Sequence, residues 1–198
     1  AETVSNMVHS TSVGTVTTNT QVKILIDDGT IGGVGEIGEI IVRNQATRFL
    51  GYFNNEPRPI MGEDGWMHTS DMAFIDEHNE IHIVGQRTFI IKNIYSEIYP
   101  CEIEDLIEII PGVKFVCVVG TPDPSEIEVA TALIVKEVGS RLTEEIIMES
   151  TSNLPTFKQL RGGVFFVESL PINGSGKIQR EKAKELATKL KYERLANL

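Results

Sequence analysis

Residues 81–104 read IHIVGQRTFIIKNIYSEIYPCEIE, and the chain changes character across them. Before this stretch, short alternating apolar runs are separated by glycine and Asp-Gly turns, which is typical of β-structure. After it, helical and strand patterns alternate along the chain. Small and polar residues occupy 85–88, while Ile81, Ile83 and residues 89–91 on either side are apolar. We therefore predict a joint between two domains here, with one long hairpin inside a single domain as the alternative.

Composition narrows the class of protein. A chain of 198 residues with 41% hydrophobic content could bury one good core or two modest ones. The net charge of -10 argues against a nucleic-acid partner, because phosphates select basic surfaces. Cys101 and Cys117 suit a reducing compartment without a disulfide framework. No apolar run reaches the roughly 18 residues that cross a bilayer, so we expect no membrane span.

The first part of the chain is predicted to be β-rich. Val22, Ile24 and Ile26 alternate up to an Asp-Asp-Gly turn at 27–29, and residues 39–42 form a second strand. Two further strands are expected at 72–75 and 80–84, joined by a turn at 76–79.

The second part combines helices and strands. Pro100 suits a first helical turn, and apolar residues then recur at helical spacing until Pro111-Gly112 stops the helix. The runs 113–119 and 129–135 are almost continuously apolar, which indicates burial on both faces or a central place in a sheet. A second helix near 143–145, a third strand at 163–167 and a basic helix from about Ile178 complete a small α+β domain with a three-stranded sheet.

Four segments resemble the adenylate-forming superfamily of acyl-CoA synthetases, 4-coumarate-CoA ligases, firefly luciferase and peptide-synthetase adenylation domains. Residues 35–40 and 65–71 resemble its Gly-Glu-x-Gly-Glu-Ile and Gly-Trp-x-x-Thr-Gly-Asp segments, with Ser70 in place of Gly. Residues 171–180 resemble Pro-x-x-x-x-Gly-Lys-x-x-Arg. The inter-domain crossing of the family is matched at these positions: Gly85, Ile91, Lys92, Ile98, Pro100, Glu102, Ile103 and Glu104.

The resemblance implies an α+β fold in two parts. Residues 1–85 would be the β-rich, barrel-like end of the large AMP-binding domain, and 86–198 its C-terminal lid domain. The hinge between them would be Gly85, Gln86 and Arg87. The phosphate-binding loop and the acid pocket of the family have no counterpart, so the remaining N-terminal domain would be a partner and this piece alone would be inactive.

The resemblance also implies the chemistry, that of an ATP-dependent fatty-acid or aryl-acid CoA ligase. Asp71 would accept both ribose hydroxyls of ATP or AMP, with Thr69 and Gln86 beside it. Lys177 would reach the substrate carboxylate and the α-phosphate, and Lys92 would be a second catalytic position. Glu2 would hold magnesium, and coenzyme A would accept the acyl group. Without the motifs, the favoured interpretation of Asp71 is a solvated or turn-capping residue at a strand start, and that of Lys177 an exposed lysine that opens a helix.

Three positions depart from the family pattern. Gln86 stands where the family has Arg, Thr88 where it often has Lys, and Tyr95 where it has Gly. If position 95 requires a positive φ, Tyr95 would be strained by roughly 1–2 kcal/mol. These departures favour an alternative, a non-catalytic luciferase-like binding or regulatory module with a degenerate lid; a lid acting in trans is a third possibility. The C-terminal tripeptide 196–198 is similar to a degenerate peroxisomal signal, so the expected location is the peroxisome or the cytoplasm.

Overall fold

The computed structural model describes residues 12–44 and 64–197. The chain divides into two compact units, Ala1–Thr88 and Phe89–Leu198. The division falls inside the stretch that we expected to join two domains. Two predicted features, the magnesium ligand Glu2 and the last residue of the peroxisome-like tripeptide, lie outside the described residues.

The first unit contains an antiparallel sheet whose strands follow chain order. Its strands are β1 (Thr20–Leu25), β2 (Gly38–Asn44), β3 (Met67–Ile75) and β4 (Ile81–Gln86). Alternate residues point to one face, where Ile24, Ile40, Ala73 and Ile81 form the apolar core. The described strands form an open sheet, because β1 and β4 each pair with only one neighbouring strand. The barrel-like shape that we expected is therefore not closed by these strands.

Strand β3 begins earlier than its sequence pattern predicts. We expected a start at Met72, whereas the strand begins at Met67 and includes Thr69, Ser70 and Asp71. The cause is a β-bulge: Glu39 pairs with Met72 and Ile41 with His68, so the three intervening residues lie opposite one residue of β2. The extra residues break the period of two that marks a strand in the sequence.

The second unit contains a three-stranded sheet with helices on both faces. The small pair β5 (Ile91–Lys92) and β6 (Glu97–Ile98) precedes α1 (Pro100–Glu108). Strands β7 (Val113–Asp123) and β8 (Ile127–Lys136) are antiparallel, and β9 (Val164–Phe166) pairs in parallel with β8. Helix α2 (Glu144–Ser150) precedes β9, and α3 (Arg180–Ala196) ends the described chain.

Both faces of this sheet are buried, as the continuous apolar runs predicted. On one face, Ile103 and Ile107 of α1 and Ile147 of α2 pack in a cluster with strand residues. On the other face, Ala183 and Ala187 of α3 pack in a second cluster. The α+β class and the three-stranded sheet are confirmed. Among the helices of residues 12–44 and 64–197, none is long and apolar enough to cross a membrane.

Backbone strain lies at Ser70 and not at Tyr95. Tyr95 does not have a positive φ, so the condition under which its replacement of Gly would be strained is not met. Ser70, which also stands where the family has Gly, has a φ of 63°. The left-handed conformation at this position costs a residue with a Cβ atom about 1–2 kcal/mol. Of the two residues that replace a family Gly, the strained one is therefore Ser70, in the bulge of β3.

Candidate functional site

The three predicted nucleotide-binding residues lie together at the bulge. Gln86 Nε2 donates a hydrogen bond to Asp71 Oδ1 at 3.2 Å, and the two residues are cross-strand partners in β3 and β4. The hydroxyl of Thr69 accepts the backbone N–H of Asp71 at 3.1 Å and donates to the carbonyl of Ile40 at 2.7 Å. The Asp71 carboxylate, which is half-buried, is therefore presented by a hydrogen-bonded frame.

A buried carboxylate behind the bulge was not predicted as functional. Only 6% of Glu39 is exposed, and its Oε1 accepts the backbone N–H of Ser70 at 2.9 Å. Its Oε2 lies 3.1 Å from His68 Nδ1 and 3.6 Å from Arg87 Nη1. The signal in the sequence was its place as the second Glu of the Gly-Glu-x-Gly-Glu-Ile segment at 35–40, next to Ile40 of the apolar face.

The predicted hinge residues have separate partners within the first unit. Gly85 has a φ of 140°, which favours glycine. Arg87 begins a short 3₁₀ segment, Arg87–Phe89, and its guanidinium pairs with Asp27 as well as with Glu39. Gln86 instead contacts Asp71, so the two neighbouring side chains bind different carboxylates. Whether the segment acts as a hinge stays a prediction.

Lys177 lies on a tight loop built around one asparagine. The Asn173 side chain accepts the backbone N–H groups of Ser175 and Lys177 at 3.0 and 2.9 Å. The backbone N–H of Asn173 donates to the carbonyl of Lys177 at 2.8 Å, which closes the loop. The Lys177 side chain is exposed and forms no ion pair with the described residues of its own unit. The loop therefore holds the backbone and leaves the ammonium free to reach a ligand.

Arg180 fixes the helix that follows this loop. Its guanidinium makes two hydrogen bonds to the Glu104 carboxylate, at 2.8 and 2.7 Å, and a third to the carbonyl of Val118 at 3.0 Å. Burial acts to lower the pKa of Arg180, but the Glu104 hydrogen bonds and charge outweigh it, so the pKa is raised. Motif matching included Arg180 and Glu104, but it could not show that they bind each other across 76 residues.

Lys92, the second predicted catalytic position, lies elsewhere in the same unit. Its backbone N–H donates to Glu128 Oε2 at 3.0 Å, and its side chain is exposed. The next residue, Asn93, donates from its side-chain amide to Glu126 and to the carbonyl of Glu128 at 3.0 and 2.9 Å. The catalytic role of Lys92 stays a prediction.

Other reactive groups have structural explanations. Burial raises the pKa of both thiols, Cys101 and Cys117, to about 12, so neither is a thiolate nucleophile at neutral pH.

Asp76, Glu80 and His82 place possible metal ligands within 4.8 Å of one another. Asp76 already accepts two backbone N–H groups of its turn and lies 3.0 Å from His82 Nε2. This cluster closes the β3–β4 turn by itself.

Comparison with known proteins identifies the second unit. The family model of the AMP-binding enzyme C-terminal domain matches residues 102–177, from the helix of Glu104 to Lys177 itself. The chain carries the C-terminal domain of the adenylate-forming enzymes. This match confirms the resemblance to that superfamily expected from the sequence.

Relatives extend this likeness beyond the matched domain. The chain is 38% identical over 177 residues to 4-coumarate–CoA ligase 3 of Oryza sativa subsp. japonica, which covers 88% of this chain and 32% of the ligase. It is 34% identical over 184 residues to luciferin 4-monooxygenase of Photinus pyralis, covering 91% and 33%. The ATP-bound structure of MatB from Rhodopseudomonas palustris is similar with a TM-score of 0.81 and 28% identity, covering 91% and 36%. The chain spans about a third of the length of the curated relatives it matches.

Proposed function

We propose that this chain is the C-terminal part of an ATP-dependent carboxylic acid–CoA ligase. The observation that carries the proposal is Lys177: an exposed ammonium, on a loop closed by Asn173, at the last matched residue of the AMP-binding enzyme C-terminal domain. The names of a 4-coumarate–CoA ligase and an ATP-bound enzyme among the similar proteins support a ligase that uses ATP. The acid is an aryl or a fatty acid.

The reaction would proceed in two steps. The carboxylate oxygen of the acid attacks the α-phosphorus of ATP, forming the acyl adenylate and releasing pyrophosphate. The thiolate of coenzyme A then attacks the acyl carbon, forming the thioester and releasing AMP; the thiol proton goes to solvent or to a base. The first step brings two anions together, so Lys177 would act there by offsetting their negative charge.

Asp71 would hold the nucleotide through its ribose. A carboxylate has two acceptor oxygens and can take both ribose hydroxyls at once. In the free chain, Oδ1 accepts the Gln86 amide at 3.2 Å, so the nucleotide would share or replace this contact. Magnesium would accompany ATP, but its predicted ligand, Glu2, lies outside the described residues, and we assign no step to it.

The test is an acid-dependent exchange of pyrophosphate into ATP by the complete enzyme, followed by detection of the thioester with coenzyme A. A panel of aryl and fatty acids should give exchange with at least one class. The 198-residue chain alone should give none above background, because no counterpart of the family's phosphate-binding loop holds the reactants. Acid-dependent exchange by the chain alone, or none by the complete enzyme with any acid, would overturn the proposal.

A second function, nucleotide binding without turnover, is favoured by one observation. Gln86 replaces the family Arg and supplies Asp71 with a neutral hydrogen bond in place of a charged one. A binding module would retain AMP or ATP in equilibrium dialysis and yet show no pyrophosphate exchange. The same pair of measurements therefore separates the two functions.

A further inference from the structure

The bulge in β3 needs a support that its own sequence does not provide. Three residues of β3 lie opposite one residue of β2, and Ser70 at the centre has a φ of 63°. Serine adopts this left-handed conformation less readily than glycine, because its Cβ crowds the following carbonyl oxygen. Something outside the bulge must stabilise it.

Glu39 is placed to be that support. It lies on the adjacent strand, its side chain is 8% exposed, and Oε1 accepts the N–H of Ser70 at 2.9 Å. Oε2 lies 3.1 Å from His68 Nδ1 and 3.6 Å from Arg87 Nη1. The carboxylate thus binds both sides of the bulge. A buried carboxylate requires such partners, since an unpaired charge in the interior is costly.

The conformation of Ser70 sets the direction of the next side chain. Asp71 follows the left-handed residue directly, its N–H is capped by Thr69, and its carboxylate meets Gln86 on β4. If Ser70 moved to an extended conformation, the bulge would be lost and Asp71 would shift in register. A one-residue shift on a strand turns the side chain to the other face.

We infer that Glu39 is a positioning residue for the nucleotide: it holds Ser70 in the left-handed conformation and thereby aims the Asp71 carboxylate at the ribose. The inference rests on the proposed function for the role of Asp71. It makes a specific claim about mechanism, because a residue that acts through the conformation of Ser70 becomes dispensable when position 70 is glycine.

The experiment compares ATP with 2′,3′-dideoxy-ATP in the complete enzyme. The variants are Glu39→Gln, Ser70→Gly, the double variant and Asp71→Asn; Glu77→Gln, the same chemical change at an exposed residue of the β3–β4 turn, is the control. The ratio of kcat/KM for the two nucleotides measures recognition of the ribose hydroxyls, and a general loss of stability leaves this ratio unchanged. In the 198-residue chain, hydrogen exchange of the Ser70 amide measures the Glu39 contact independently of catalysis.

We expect Glu39→Gln to reduce the ratio about tenfold, the effect of replacing a charge-assisted hydrogen bond by a neutral one. Hydrogen exchange of the Ser70 amide should accelerate in the 198-residue chain. In the complete enzyme, the double variant that adds Ser70→Gly should restore the ratio. If Glu39→Gln does not fold, Glu39→Asp takes its place in the same measurements.

Two results would overturn the inference. In the first, Asp71→Asn lowers the ratio but Glu39→Gln leaves it unchanged. In the second, Glu39→Gln lowers the ratio and Ser70→Gly does not restore it, so the loss does not run through the bulge. If Asp71→Asn itself leaves the ratio unchanged, the proposed role of Asp71 fails. Hydrogen exchange of the Ser70 amide then tests whether Glu39 stabilises the bulge. Faster exchange in Glu39→Gln would support this, and unchanged exchange would refute it.

Discussion

The two groups expected to carry the chemistry, Asp71 and Lys177, are held in opposite ways. Asp71 lies within a strand, on a bulge whose backbone is bound by the buried carboxylate of Glu39. Lys177 lies on a loop whose backbone is bound by the Asn173 side chain, while its own side chain is exposed. A carboxylate that takes two hydroxyls must be aimed, because hydrogen bonds weaken steeply with angle.

The lysine has the opposite requirement. An ammonium is a compact charge on a four-carbon stem with three rotatable donors, so it needs reach more than orientation. In the second unit, the element held in place is the start of α3. It begins at Arg180, three residues after Lys177, and is fixed by the Arg180–Glu104 pair. The first unit thus fixes a side chain, and the second unit fixes a backbone from which a side chain extends.

The largest effect should follow from Lys177→Ala in the complete enzyme. Adenylation should slow about 10²–10³-fold, the usual loss when one group that stabilises a transition-state charge is removed. Transfer to coenzyme A from a preformed adenylate should change little, because the partner charges develop only in the first step. Pyrophosphate release and thioester formation are measured separately, with the exposed Lys182→Ala as control. Equal slowing of both half-reactions would make Lys177 structural.

Arg180→Ala tests whether the second unit depends on its fixed backbone. The substitution leaves Glu104, whose side chain is 13% exposed, without its positively charged partner and with the N–H of Val118 as a donor, so the free energy of unfolding should fall by about 3 kcal/mol. Urea unfolding followed by circular dichroism at 222 nm reports this unit, since every described α-helix lies in it. The control is Lys189→Ala, which removes an exposed ion pair with Glu193 and should lower the free energy of unfolding by less than about 0.5 kcal/mol. Similar losses in both variants would remove the special role of Arg180.

Gln86→Arg sharpens the comparison on the nucleotide side. An arginine beside Asp71 would restore a charged donor, and we expect the KM for ATP to fall about tenfold, equivalent to roughly 1.4 kcal/mol. Thr88→Arg adds the same charge at an exposed neighbouring residue and should change the KM less. If both variants change the KM equally, the effect is a general one of charge. If neither does, the binding-module function gains support.

Ser70→Gly should produce the smallest effect, a gain in stability. Glycine removes the cost of the left-handed φ but adds chain entropy to the unfolded state, so we expect a net gain of about 0.5–1 kcal/mol. Fluorescence of Trp66, the single tryptophan, reports unfolding of the first unit. Asn79→Gly is the matched control: Asn79 has a φ of 62°, but asparagine tolerates this region, so its gain should be smaller. A loss of stability in Ser70→Gly would mean that the bulge is not strained.

Sequence by itself determined the elements whose signals are local and periodic. The helical spacing after Pro100 and the apolar runs of β7 and β8 predicted α1 and a sheet buried on both faces, because burial imposes those periods on the residues. The lysine loop and the Gly-Trp segment were recognised because their residues are consecutive or nearly so. Whether position 95 needs a positive φ was left open by the sequence, because a Gly in a pattern does not show which property of glycine the position uses, and the structure shows that it does not.

Only the tertiary structure decided how these segments support one another. The bulge places Thr69, Ser70 and Asp71 inside β3, but it is defined by its pairing with β2, which no local pattern records. Glu39 meets Ser70 across 31 residues, and Glu104 meets Arg180 across 76. Each carboxylate belongs to a motif recognised in the sequence, but the motif does not show its partner. What makes it structural is burial beside a donor brought there by the fold, since a charge removed from water must find its partner inside the protein.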